Sequence, residues 1–195
     1  MDNFIKYLLI VNGISFLLSF IGILASRKRE DDEIMSGLRG LLAMIGAPCG
    51  NILAFLILDR RSRKANMTVN VLSFTSLIIY GVIAAVVYGP FQLSKENFWD
   101  NILNVNRYFL IYLAAVTLLT FILFGIDKYK AIKGKGRISI LTLFFFSAIG
   151  GTVGGIVGMY LFRHKTKKVY FTLGMPMILL AQIAVLVFLF ASGII

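Results

Sequence analysis

Residues 137–168, RISILTLFFFSAIGGTVGGIVGMYLFRHKTKK, form an apolar run with a glycine cluster at its middle and positive charge at both ends. Read as one helix, the run is long enough to span a bilayer. Gly150, Gly154 and Gly158 then make a small-xxx-small packing stripe. Read as a hairpin, residues 138–149 and 156–162 are half-helices of roughly 18 and 10 Å at ~1.5 Å per residue, each too short to cross alone. Gly150, Gly151, Thr152, Gly154 and Gly155 supply the turn. Which reading holds decides the topology.

The surrounding chain is of the same kind. Of its 195 residues, 58% are hydrophobic and 15% charged, against about 25% charged in a soluble domain. Apolar blocks fall at 4–25, 34–58, 69–91, 108–126, 138–162 and 170–192, with the charge packed between them. This predicts an all-α integral membrane protein with six hydrophobic segments, placed in the cell membrane. No small-x-small cleavage site follows the first apolar run, so that segment is expected to be retained. The basic excess of +11 would suggest nucleic acid in a soluble protein. Here the loading of cytoplasmic loops with Lys and Arg accounts for it, and nucleic acid is not an expected partner. One Cys (Cys49) and one His (His164) give no internal disulfide and no metal set, and no cofactor is expected.

Sliding the second half onto the first by 104 residues aligns Gly46 and Gly50 with Gly150 and Gly154, and lays residues 59–64 on the basic 163–168. The expectation is two tandem three-segment repeats, 1–89 and 108–195, joined by an interfacial helix in 90–107 that Ser94 can cap and Trp99 can seat. In the first copy Gly46, Pro48, Gly50 and Asn51 take the place of the second copy's turn. If the middle segment of each copy crosses, the Lys and Arg residues divide 10 against 10 across the membrane, which orients nothing. If each re-enters, they divide 17 against 3, the asymmetry that cytoplasmic basic loops produce. The charge pattern favours re-entrant hairpins.

The second half resembles a prokaryotic membrane-protein family, domain of unknown function 1294. Asp127-Lys128, Ala131, Arg137-Ile138, Gly150-Gly151, Gly154, Arg163-His164-Lys165-Thr166, Lys168 and Phe171 carry the likeness. Where the family usually has Pro-Glu, this chain has Ser139-Ile140, and the first half looks like a degenerate fused copy. Some members also carry a nucleic-acid-binding cold-shock domain, of which this chain has none. The resemblance implies a membrane protein and no established activity.

All nine carboxylates lie in loops or at segment ends, so no proton relay or carboxylate pair is visible. Asp127 and His164 are the nearest approach to a catalytic pair. Lys128, Arg137, Arg163, His164, Lys165 and Lys168, with Arg60 and Arg61, are candidates for binding an anion or a lipid headgroup, since their cations match phosphoryl oxygens. Membrane lipids with anionic headgroups are the expected partners, and a homo-oligomer is compatible with the pattern. The leading expectation is passive movement of an anion, or handling of phospholipid headgroups, by the glycine-turned hairpins. An enzyme acting on phosphorylated lipid, and a scaffold recruiting an acidic partner or nucleic acid, are the alternatives.

Overall fold

Asn106 opens the longest described helix by accepting the Tyr108 N–H on its side-chain oxygen. A computed structural model describes residues 3–25, 33–58, 66–91 and 93–193. Among them every regular element is helical. The chain divides into two compact units, Met1–Gly81 and Val82–Ile195.

The first unit contains α1 (Asn3–Ala25), α2 (Glu33–Met44), α3 (Pro48–Leu58) and the start of α4 (Met67–Tyr88). The second continues with α5 (Lys95–Leu103), α6 (Arg107–Ile132), α7 (Ile140–Phe146), a π-turn at Ser147–Gly151, α8 (Thr152–Leu161), α9 (Val169–Thr172) and α10 (Gly174–Ser192). Five stretches are long and apolar enough to cross a membrane: Lys6–Leu24, Met67–Tyr88, Arg107–Ile132, Ile140–Leu161 and Val169–Ser192. Along α6, Leu110, Ile111, Leu118, Leu119, Ile122 and Ile126 are all exposed. A surface of that kind is stable in lipid rather than in water. The protein is an all-α membrane protein.

The fourth stretch is not straight. Gly150 has φ +128, a conformation open to glycine, and the π-turn there interrupts the helical hydrogen-bond ladder. The carbonyls it frees need donors, because lipid supplies none. Gln182 Nε2 donates to Ser147 O (2.8 Å) and Ala148 O (2.7 Å). Tyr112 Oη donates to Ile149 O (2.7 Å), Thr117 Oγ1 to Gly150 O (3.4 Å) and Thr152 Oγ1 to Ser147 O (2.8 Å).

Beyond the break, α8 runs back along α6. An added methyl on Gly154 would overlap the Thr117 carbonyl, and one on Gly158 would lie 3.0 Å from Phe124 Cβ. Phe162 packs on Phe121, with ring centroids 5.1 Å apart. The glycine stripe therefore packs α8 closely on α6, while Gly150 alone makes the break. Behind them Phe144 stacks on Phe171 at 4.8 Å and Phe124 meets it edge-on at 5.7 Å, pairs worth about 0.5–1.5 kcal/mol each beyond their burial.

The first unit also has a positive-φ glycine whose neighbouring carbonyls accept from side chains. Gly46 has φ +115, Tyr7 Oη donates to Ile45 O (2.8 Å) and Asn12 Nδ2 to Gly46 O (2.9 Å). Gly50 lies so close to α1 that an added methyl would overlap the Asn12 carbonyl.

Near the start of the second unit, Ser94 caps α5 by accepting the Glu96 and Asn97 N–H groups. The helix is tied to α10 by Ser94 N–H to Ala191 O (3.0 Å) and Asn101 Nδ2 to Phe190 O (2.9 Å). Trp99 and Leu103 remain exposed on it.

Candidate functional site

Hydropathy ends the fourth apolar block at residue 126, but α6 continues to Ile132. Asp127 is thereby carried inside a helix, with its side chain fully buried. A buried carboxylate is tolerated only when its oxygens are satisfied. Asp127 Oδ1 accepts the Ile138 N–H at 2.9 Å. Its Oδ2 accepts from His164 Nε2 at 2.8 Å and from Lys165 Nζ at 2.7 Å. Because a carboxylate only accepts, His164 must carry its proton on Nε2.

Ile138 opens the broken segment and His164 follows it, so both of its ends meet at one carboxylate. A straight helix over 140–161 would be about 33 Å long, and its ends could not do so.

Local geometry delivers His164 and Lys165 to that point. The end of α8 is a Schellman turn, in which His164 N–H reaches Met159 O (2.9 Å) and Arg163 N–H reaches Tyr160 O (3.1 Å). The residue at its left-handed position is usually glycine, but here it is Arg163, with φ +46. Lys165 is left-handed as well, with φ +63. Its ammonium lies 4.8 Å from the centre of the Phe171 ring, a cation–π contact. Burial pulls that ammonium below the ordinary lysine value, against the hydrogen bond and charge of Asp127.

The sequence candidates separate into two groups. Asp127, His164 and Lys165 come together. Arg137, Arg163 and Lys168 are exposed and Lys128 is half-buried, and these four form no ion pair among the described residues. Arg60 and Arg61 lie outside the described residues. Of the turn candidates, Gly46 and Gly150 take positive φ. Pro48 is the first residue of α3, where proline fits; Gly50 and Asn51 lie within α3. Gly151 precedes α8, Thr152 begins it, and Gly154 and Gly155 lie inside it.

Sequence reasoning missed Arg39, which is only 3% exposed. Its Nε donates to Ser19 Oγ (3.1 Å) and its NH1 group to Asn66 Oδ1 (3.1 Å), and its carbonyl accepts from Asn51 Nδ2 (2.8 Å). Ser19 Oγ donates to Asn51 Oδ1. An arginine inside an apolar run was the available signal.

No solved structure matches the chain. Over 81 residues, 42% of this chain and 90% of the relative, it is 40% identical to the uncharacterized protein YsdA of Bacillus subtilis. Residues 117–171 match the family described as "Protein of unknown function (DUF1294)", and that stretch takes in the π-turn, Asp127 and the His164–Lys165 turn. The chain belongs to this family.

Proposed function

We propose that the second unit handles phosphate-bearing groups, lipid headgroups or small anions, at the basic mouth of a re-entrant hairpin. The observation that carries this reading is the turn at 163–168, fastened to a buried carboxylate and set among cations. Residues 127–168 hold nine Lys and Arg and a single acid, Asp127, which Lys165 and His164 occupy. The surplus charge is positive and suits an oxyanion.

Support for a hairpin comes from Ile138 and His164 sharing Asp127. With the middle segments re-entrant, the basic loops gather on one face, which the charge rule makes cytoplasmic. The matching tyrosine and glycine contacts of the first unit support two repeats, 1–89 and 108–195. At the hairpin tip the carbonyls of residues 147–150 already accept from side chains, which favours the mouth over the tip as the place for a ligand.

The test is reconstitution of the purified protein in liposomes, following movement of labelled phosphatidylglycerol and of phosphate. Flux that falls with Arg163→Ala is expected, and so is a fall with Gly150→Ala. Absence of flux for both species would reject the proposal.

One observation favours a second reading, a membrane enzyme acting on phosphorylated lipid. Asp127 fixes His164 with its proton on Nε2, leaving Nδ1 as a base, as an orienting carboxylate does in hydrolytic triads. It predicts that His164→Ala abolishes turnover of a phosphorylated lipid while the protein still inserts. Unchanged lipid composition in membranes lacking the protein would count against it.

A further inference from the structure

The turn that follows the Schellman motif has a geometry of its own. Lys168 N–H closes it on Lys165 O at 3.0 Å, which makes 165–168 a β-turn with Thr166 and Lys167 at its centre. Arg163 and Lys165 are the only non-glycine residues with positive φ among those described, so both central residues have negative φ. Of the hydrogen-bonded turn types only type I fits, and it places Thr166 in the right-handed helical region. Lys165 is left-handed and Thr166 right-handed, one after the other. That alternation turns three successive amides toward one concavity, a backbone nest that accepts anions. The three amides are those of Lys165, Thr166 and Lys167, and none of them donates to any group among the described residues.

What holds the concavity open is also visible. With φ positive, Lys165 sets its ammonium on Asp127 and over the face of Phe171, two contacts that favour this conformation. His164, bound to the same carboxylate, fixes the residue before it. The side chains of Arg163, Lys167 and Lys168 are exposed around the turn, and the Thr166 hydroxyl makes no hydrogen bond among the described residues.

We propose that the main-chain amides of Lys165, Thr166 and Lys167 are the seat of a phosphoryl oxyanion, from a lipid headgroup or from free phosphate, with Asp127 as the positioning residue that shapes the turn. The seat deepens the reading of the basic mouth and rests on it. The flanking cations attract the anion, and the three amides fix its position.

The experiment is an amide NMR titration of the full-length, nitrogen-15-labelled protein in a phosphate-free maltoside detergent. Inorganic phosphate is added against chloride of equal ionic strength. Saturable downfield shifts confined to the amides of residues 165–167 are expected. Shifts that never saturate, or that spread equally over Lys128, Lys133 and Lys135, would overturn the proposal.

A parallel arm uses phosphate-free buffer and nanodiscs of phosphatidylglycerol or of a phosphate-free galactolipid. The same shifts in phosphatidylglycerol alone identify a headgroup as the source. Shifts that need added phosphate identify the free anion.

Asp127→Asn should weaken the site at least about tenfold, the effect of losing about one charge-assisted hydrogen bond. Lys167→Ala with Lys168→Ala keeps the amides and should weaken binding while leaving the pattern of shifts intact. Loss of that pattern in a folded double variant would mean that the side chains alone hold the anion, and the nest would fall. The outcomes separate from those of the flux assay. Saturable shifts without flux leave the nest standing and remove the transport reading, and flux without localised shifts does the reverse.

Discussion

Arg163 and Lys165 both have positive φ, but their side chains do different things. Arg163 occupies the usual glycine position of a Schellman turn, and its side chain is exposed. A left-handed residue with a Cβ costs about 1–2 kcal/mol relative to glycine. Arg163→Gly should therefore raise the unfolding midpoint in detergent by the equivalent of about 1 kcal/mol while lowering anion retention. Lys165 spends the same strain on a bond to a buried carboxylate. Lys165→Gly should lower the midpoint despite relieving φ, because Asp127 then loses one of its partners. Asp127→Asn leaves Lys165 without its counter-charge and should cost about 3 kcal/mol or more, as for a broken buried pair. Equal midpoints for Arg163→Gly and Lys165→Gly would show that φ strain alone governs the turn.

At the scale of elements, the broken segment depends on close backbone approach and on borrowed donors. A methyl on Gly154 would collide with the backbone carbonyl of Thr117, which cannot swing aside as a side chain can. Gly154→Ala should therefore force α8 off α6 and cost about 1–3 kcal/mol or more, as for an overpacked core. Gly136→Ala is the control: nothing lies within 4 Å of its added Cβ, and no loss is expected. Gln182→Leu removes the donor that serves Ser147 and Ala148. Losing it should cost about 1–3 kcal/mol, read as an earlier thermal transition and faster amide exchange in residues 147–152. The glycine spacing was legible in the sequence both as a packing stripe and as a turn. The structure packs Gly154 and Gly158 against α6 and gives Gly150 alone of the three a positive φ.

At the scale of the whole molecule, the path of each broken segment sets the topology, and single cysteines can read it. In a Cys49→Ala background, Gly136→Cys and Thr166→Cys should label from the same side of the membrane, and Lys95→Cys from the other. Labelling of Gly136→Cys and Thr166→Cys from opposite sides would replace the proposed hairpin of the second half with a crossing. It would move Arg163, Lys165, Lys167 and Lys168 to the far side, a cation split of 13 against 7 while the first half still re-enters.

Composition and hydropathy suffice to place this chain in a membrane, because partition between water and lipid depends on which residues lie together along the chain. The same local information marks the glycines, the basic loops and the capping serine at Ser94. The site required more. Asp127 stands 37 residues from His164 and, by hydropathy, just outside its span. Only the continuation of α6 and the return of α8 bring the two within 2.8 Å. Lys165, left-handed against local preference, meets the same carboxylate across the fold. Sequence determined the solvent in which this protein folds. Tertiary structure decided which charge is buried, what satisfies it and which amides are left open, because those depend on distances across the fold.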